Sequence, residues 1–77
     1  MSNKLQISLV REIRQRYSVV AIRFFWHAEA NRVVRSLAGC KWSKTLQSWY
    51  IPDEQQSISA VIQALSPLGF VDYWALP

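Results

Sequence analysis

The sequence lacks the residues that most catalytic and metal sites require. Its 77 residues include one cysteine, Cys40, and one histidine, His27, which leaves neither an internal disulfide nor a cluster with metal-ligand spacing. The two glycines are isolated, which excludes a glycine-rich phosphate loop. We therefore expect no metal, no cofactor and no catalytic residue, so the chain as given is not an enzyme.

The residues that might suggest chemistry have simpler interpretations. His27 directly precedes a helical pattern, which favours a helix-start residue over a general base. Cys40 lies between a helix end and a strand, which favours a small buried residue over a reactive thiol. Asp53 and Glu54 follow a predicted strand, where acids favour the start of a helix.

Long apolar runs are absent as well. The chain starts without the apolar segment of a secretory signal, and its longest apolar run is far too short to span a membrane. We expect a soluble cytoplasmic protein that makes no membrane contact.

Hydrophobic and aromatic residues are plentiful in contrast, at 51% and 13% of the chain. Disordered chains are poor in both classes, so this composition predicts a folded protein. The length allows one small domain, residues 1–77, with a core over about residues 4–74.

Hydrophobic periodicity predicts the elements of the first half. Alternation predicts a strand over residues 5–13, and a β-branched and aromatic run predicts a second over 19–26, with an exposed connection at 14–18. An apolar stripe with helical spacing then predicts a helix from near Ala28, which Gly39 ends as a left-handed cap. The stripe consists of Ala30, Val33, Val34 and Leu37.

The second half repeats this arrangement. Residues 40–52 predict a second hairpin, with Trp42 and Trp49 as a cross-strand packing pair. Helical spacing follows, and residues 70–74 predict a final strand. The helical stripe consists of Ile58, Val61, Ile62 and Leu65. The fold class is therefore α+β, with a mainly antiparallel sheet, two helices packed on one face and the order ββαββαβ.

Charge is distributed very unevenly along the chain. All nine lysines and arginines lie between Lys4 and Lys44, so residues 1–44 carry a net charge of +7 and residues 45–77 carry −3. A basic half beside an acidic half favours binding to a polyanion. An unevenly charged solvated surface is the alternative interpretation.

The segment from Gly39 to Pro52 resembles a known family. The run Gly-Cys-Lys-Trp-Ser, a polar turn and then Ser-Trp-Tyr-Ile-Pro are similar to the N-terminal region of phage-integrase-family tyrosine recombinases of the Bacteroidetes type. Similar helix–hairpin units occur in the HARP domain of annealing helicases. The resemblance covers about residues 21–73, and Cys40 stands where alanine is commoner.

The resemblance implies an accessory domain that acts in DNA integration or recombination. The helical core-binding domain and the catalytic domain of the family do not follow in this sequence, so we expect a fragment of a longer recombinase, with a stand-alone relative as the alternative. No catalytic role carries over to Tyr17, Tyr50 or Tyr73. The expected partner is double-stranded DNA, and recombinase protomers or the protein's own catalytic domain are possible partners.

The candidate DNA-binding residues are cations of the basic half. They are Arg23, Arg32, Arg35, Lys41 and Lys44. Lysine and arginine neutralise phosphates and release counterions, which gives salt-dependent binding with weak sequence preference.

Two alternatives remain open at this point. A protein-interaction module that docks recombinase protomers would expose an apolar surface or an edge strand, such as residues 70–74. A single-strand-binding sheet would instead place Phe24, Trp26 or Tyr50 on a solvent-facing surface.

Overall fold

The computed structural model describes residues 5–74 and residue 76. In that part of the chain, five strands and two helices follow one another in the order ββαββαβ, which confirms the predicted class and order. The elements are β1 (Leu5–Arg14), β2 (Tyr17–Arg23), α1 (Ala28–Ser36), β3 (Lys41–Ser43), β4 (Ser48–Pro52), α2 (Gln55–Leu65) and β5 (Gly69–Asp72).

The strands form one mixed sheet in the order β3-β4-β2-β1-β5. Every neighbouring pair is antiparallel except β1 and β5, which run parallel. The parallel pair arises because α2 carries the chain back across the sheet before β5 begins. The predicted final strand is present, but it spans Gly69–Asp72 and so ends before Tyr73.

Both helices cover the same face of the sheet, which we call the helix face. Successive side chains of a strand point to opposite faces, so the buried pair Ile7 and Leu9 marks this face on β1. One cluster joins strand residues to helix residues. Its buried members are Ile7, Leu9, Val20, Ile22, Ala30, Val34, Ile51, Val61, Leu65 and Val71. The opposite face carries no helix, and we call it the open face.

The hairpin between β1 and β2 is longer and tighter than the sequence predicts. The strands pair from Ser8–Arg23 as far as Arg14–Tyr17. The turn therefore consists of Gln15 and Arg16 alone. Residues 15–18 are exposed as predicted, but Arg14, Tyr17 and Ser18 belong to the strands and not to a connection. Both turn residues have positive φ, 52° and 72°, which is the geometry of a type I′ hairpin turn.

Strand β2 ends at Arg23, three residues before the end predicted for it. Phe25 and Trp26 lie outside the sheet and are 89% and 76% exposed. The chain leaves the sheet here because His27 already caps α1: its Nδ1 accepts a hydrogen bond from the Ala30 backbone N–H at 3.2 Å. The predicted helix start and the role of His27 are confirmed.

Gly39 adopts the predicted left-handed conformation, with φ +80°, but it does not cap α1 directly. The helix ends at Ser36, and Leu37 leaves it in an extended conformation. Gly39 lies two residues further on, in the turn that leads into β3. A Cβ on Gly39 would point toward the Pro52 ring, 3.7 Å from its Cδ atom, so the two ends of the Gly39–Pro52 segment lie together.

Among the residues that the structure describes, no helix is both long enough and apolar enough to cross a membrane.

Candidate nucleic-acid interface

The five predicted DNA-binding residues do not share one surface. The register of the strands places Arg23 and Lys41 on the open face. Arg32 and Arg35 are exposed on α1, which covers the helix face. Lys44 lies in the turn between β3 and β4. A single nucleic-acid ligand on the open face can therefore contact only part of the predicted set.

Two of these cations already form ion pairs with carboxylates. Arg23 donates to Glu12 at 3.2 Å, reaching across the open face past Ala21. Arg32 donates to Glu29 one turn away on α1. Exposed ion pairs of this kind contribute only about 0–1 kcal/mol to stability, but they reduce the net positive potential beside each arginine.

A basic hollow of about 360 Å³ lies at the hairpin end of the open face. The Arg14 guanidinium stacks over the Tyr50 ring, with its central carbon 4.9 Å from the ring centroid. Lys41 is the direct cross-strand neighbour of Tyr50 on β3, and Tyr17 lines the same hollow. Arg16 lies at the adjoining turn. We call these residues, Arg14, Arg16, Tyr17, Lys41 and Tyr50, the basic hollow.

Asp53 and Glu54 border this hollow as well, but Asp53 is already neutralised. Arg11 donates to it from Nε at 2.7 Å and from Nη2 at 3.3 Å, and Ser18 donates at 2.7 Å. The hydrogen bonds from Arg11 and Ser18 lower the pKa of the Asp53 carboxyl below its ordinary value. Asp53 thus ties the hairpin to the start of α2, and Glu54 is the N-cap residue.

Sequence reasoning missed Arg14, Arg16 and Tyr17, because residues 14–18 were predicted to be an exposed connection between the strands. The signal was present: continuing the alternation of β1 beyond residue 13 places Arg14 on the same face as Ser8 and Glu12. Within residues 5–74 and 76, Arg14, Arg16 and Lys41 make no ion pair with a carboxylate.

The two tryptophans of the Gly39–Pro52 segment pack against each other. Trp42 and Trp49 are cross-strand partners whose rings meet edge to face, with centroids 5.6 Å apart. Trp49 Nε1 donates to Asn31 Oδ1 at 3.0 Å, which fastens the hairpin to α1. The predicted packing pair is confirmed, although Trp42 remains 52% exposed.

The aromatic residues that would indicate a single-strand-binding sheet have mixed environments. Trp26 is exposed but lies beyond the end of β2, and Phe24 packs partly against the core. Tyr50 is half-buried on the open face beneath Arg14. The structure therefore does not remove this alternative.

The single thiol is half-buried and protonated. Cys40 is half-buried, and burial raises its pKa to about 11, so the thiol is protonated at neutral pH. Across the described residues, histidine, cysteine and carboxylate side chains form no group of three that could hold a metal ion.

No family model matches the chain, and no curated protein or solved structure is significantly similar to it. The function is therefore inferred from the chain's own residues and their geometry.

Proposed function

We propose that this chain is a non-catalytic module that binds double-stranded DNA, serving as the accessory domain of a tyrosine recombinase in DNA integration or recombination. The recombinase context comes from the resemblance of residues 39–52. The binding mode is supported by the charge and geometry of the open face.

The observation that carries the proposal is the basic hollow. Arg14 and Lys41 line it, Arg16 lies at the adjoining turn, and none of the three pairs with a carboxylate among the described residues. The β1–β2 hairpin projects there as a two-stranded ribbon with a narrow turn. A two-stranded ribbon fits the major groove of B-DNA, and cations at its end lie within reach of the phosphates on either side.

A titration of the isotope-labelled chain with a short duplex at low salt tests the proposal. We expect the amide signals of residues 14–17, 41 and 50 to move, while those of Arg32 and Arg35 on α1 stay in place. Shifts confined to α1, or no shift at all, would overturn it. The β1–β2 turn is a sensitive probe because its amides lie beside two of the three cations.

One observation favours a second candidate, a module that docks recombinase protomers. Strand β5 is an edge of the sheet, and three large apolar side chains in or beside it are exposed: Phe70 at 51%, Tyr73 at 52% and Trp74 at 86%. Such an edge accepts a further strand or an apolar partner surface. A mass that rises with concentration in sedimentation experiments, and falls in Phe70→Ser, would support this candidate over a purely monomeric DNA-binding module.

A further inference from the structure

An aromatic cleft of about 550 Å³ lies at the end of the sheet opposite the basic hollow. It forms where β2 stops: Arg23 is the last residue of β2 to pair with β1, and residues 5–7 of β1 pair with β5 alone. Its lining includes five aromatic residues. They are Phe24, Phe25, Trp26, Trp42 and Trp49.

Three of these rings are far more exposed than their size predicts. Phe25, Trp26 and Trp42 expose 89%, 76% and 52% of their surface. Clusters of large exposed apolar residues on small proteins mark binding sites, since folding alone favours their burial. Trp42 is also held in place, because it packs edge to face on Trp49 and Trp49 is hydrogen-bonded to Asn31.

The cleft also has a polar side, formed by Ser8, Arg23 and Ser48. Ser8 and Arg23 are cross-strand partners on the open face, and Ser48 lies on β4 next to the end of β2. The Ser48 side chain is the unusual member. Its residue is 95% buried, yet its hydroxyl has no hydrogen-bond partner in the part of the chain that the structure describes. A buried hydroxyl without a partner points to a polar ligand atom in the cleft.

These features select a nucleotide whose base is unstacked. Aromatic rings bind the flat face of a base, and an arginine beside hydroxyl groups binds a phosphate. In a duplex the base faces are covered by their neighbours, so a duplex cannot present them to the rings. Lys41 also lies on the open face, about 7 Å along the strands from Arg23 and about 10 Å across them, with β4 between. The cations therefore continue along the face that a bound single strand would follow.

We propose that the aromatic cleft binds single-stranded nucleic acid, with a base on Trp26 and Trp42 and a phosphate on the Ser48 hydroxyl and Arg23. Arg23 exchanges its exposed ion pair with Glu12 for the phosphate. The residues that hold the base and the phosphate differ from those of the basic hollow, so the cleft does not depend on the duplex-binding proposal. Only Lys41, on the path of the strand beyond the cleft, also belongs to the basic hollow.

Fluorescence anisotropy with labelled oligothymidylate and oligouridylate of about 12 nucleotides, at low salt, tests this proposal. We expect both Trp26→Ala and Phe25→Ala to weaken binding, Trp26→Ala by about 5- to 100-fold. Trp74→Ala is the matched control, since Trp74 is 86% exposed but does not line the cleft. Binding of either strand supports the site, and the tighter of the two identifies DNA or RNA as the source.

Ser48→Ala gives a second test that does not depend on the rings. We expect the oligonucleotide affinity to fall several-fold while the thermal midpoint stays equal or rises, because the variant removes a hydroxyl without a partner. The inference is overturned if neither strand binds, or if Trp26→Ala and Trp74→Ala bind equally well. A duplex probe separates the two proposals: Trp26→Ala should bind it as the unmodified chain does, whatever the fate of the cleft.

Discussion

The two ends of the sheet are built on opposite plans. At the hairpin end, β1 and β2 remain paired up to a two-residue turn, and cations project from a continuous ribbon. At the cleft end, β2 stops at Arg23, and large rings lie beyond the last strand pair. One end is defined by charge on a regular scaffold and the other by aromatic surface where the scaffold stops.

This difference shows at which end the stability of the fold is compatible with the side chains that are exposed there. Exposed arginines on a ribbon cost little, because water solvates them well. Exposed Phe25, Trp26 and Trp42 instead forgo burial at about 25 cal/mol per Å² of apolar surface. The hairpin end also exposes two large apolar side chains, Ile13 at 68% and Tyr17 at 73%, but the cleft end exposes more. Stability alone therefore accounts for the hairpin end more readily than for the cleft end, and the proposed ligands would account for both.

The largest expected effects on the free energy of unfolding come from substituting the two glycines of the chain, one near each end of the sheet. A Cβ at Gly69 would lie 2.1 Å from the Leu5 carbonyl oxygen, so Gly69→Ala must separate β5 from β1. We expect a loss of about 2–4 kcal/mol in the free energy of unfolding. Gly39→Ala has room but a positive φ, and it should lose about 1 kcal/mol. Urea unfolding measures both, and equal losses would contradict the close approach at Gly69.

A smaller effect of opposite sign is expected at the hairpin turn. Gln15 and Arg16 hold positive φ, which asparagine and glycine adopt at much lower energy. The double variant Gln15→Asn/Arg16→Gly should gain about 1–2 kcal/mol of stability and bind duplex DNA more weakly, because it loses a cation. Gln15→Asn alone should gain stability without losing affinity. If the double variant is more stable and binds duplex DNA as tightly as the unmodified chain, Arg16 is not part of the interface.

The smallest expected effect on stability concerns Asp53, which links the β1–β2 hairpin to the start of α2 through its bonds with Arg11 and Ser18. Because the pKa of Asp53 is lowered in the folded chain, its contribution is present at neutral pH and is lost as pH falls below about 4. Asp53→Asn should lower the urea midpoint slightly at pH 7, and the two proteins should converge in acid. The control is Asp72→Asn, because the Asp72 carboxylate accepts only from the Trp74 backbone among the described residues. A constant difference at all pH values would show that Asp53 acts through packing and not through its charge.

The sequence predicts the elements of this fold well, because both helical stripes and most strand runs carry a clear period. Their ends are harder to predict, since they depend on contacts from elsewhere. The run of apolar residues through Trp26 has strand character, yet the cap at His27 and the path to α1 end β2 at Arg23. Conversely, the strand pairing extends β1 through the charged residue Arg14.

The candidate site could be predicted only in part. Composition locates the cations in the first 44 residues, but the register of β1, β2, β4 and β3 decides which of them meet. Lys41 was predicted to bind DNA and lies in the basic hollow. Arg14 was not predicted, and it lies in the hollow because its guanidinium stacks over the Tyr50 ring. The aromatic cleft depends on where β2 stops, which no local pattern reveals.

The salt dependence of duplex binding is the most direct test of whether the basic hollow binds DNA. The slope of log affinity against log salt concentration reports the number of phosphates contacted, about 0.9 for each. For Arg14→Ala/Arg16→Ala/Lys41→Ala we predict a slope shallower by about 2 to 3, because three cations are removed from the basic hollow. The control Arg32→Ala/Arg35→Ala, on α1, should keep the original slope. An unchanged slope in the triple variant, or a shallower slope in the control, would contradict duplex binding at the hairpin end of the open face.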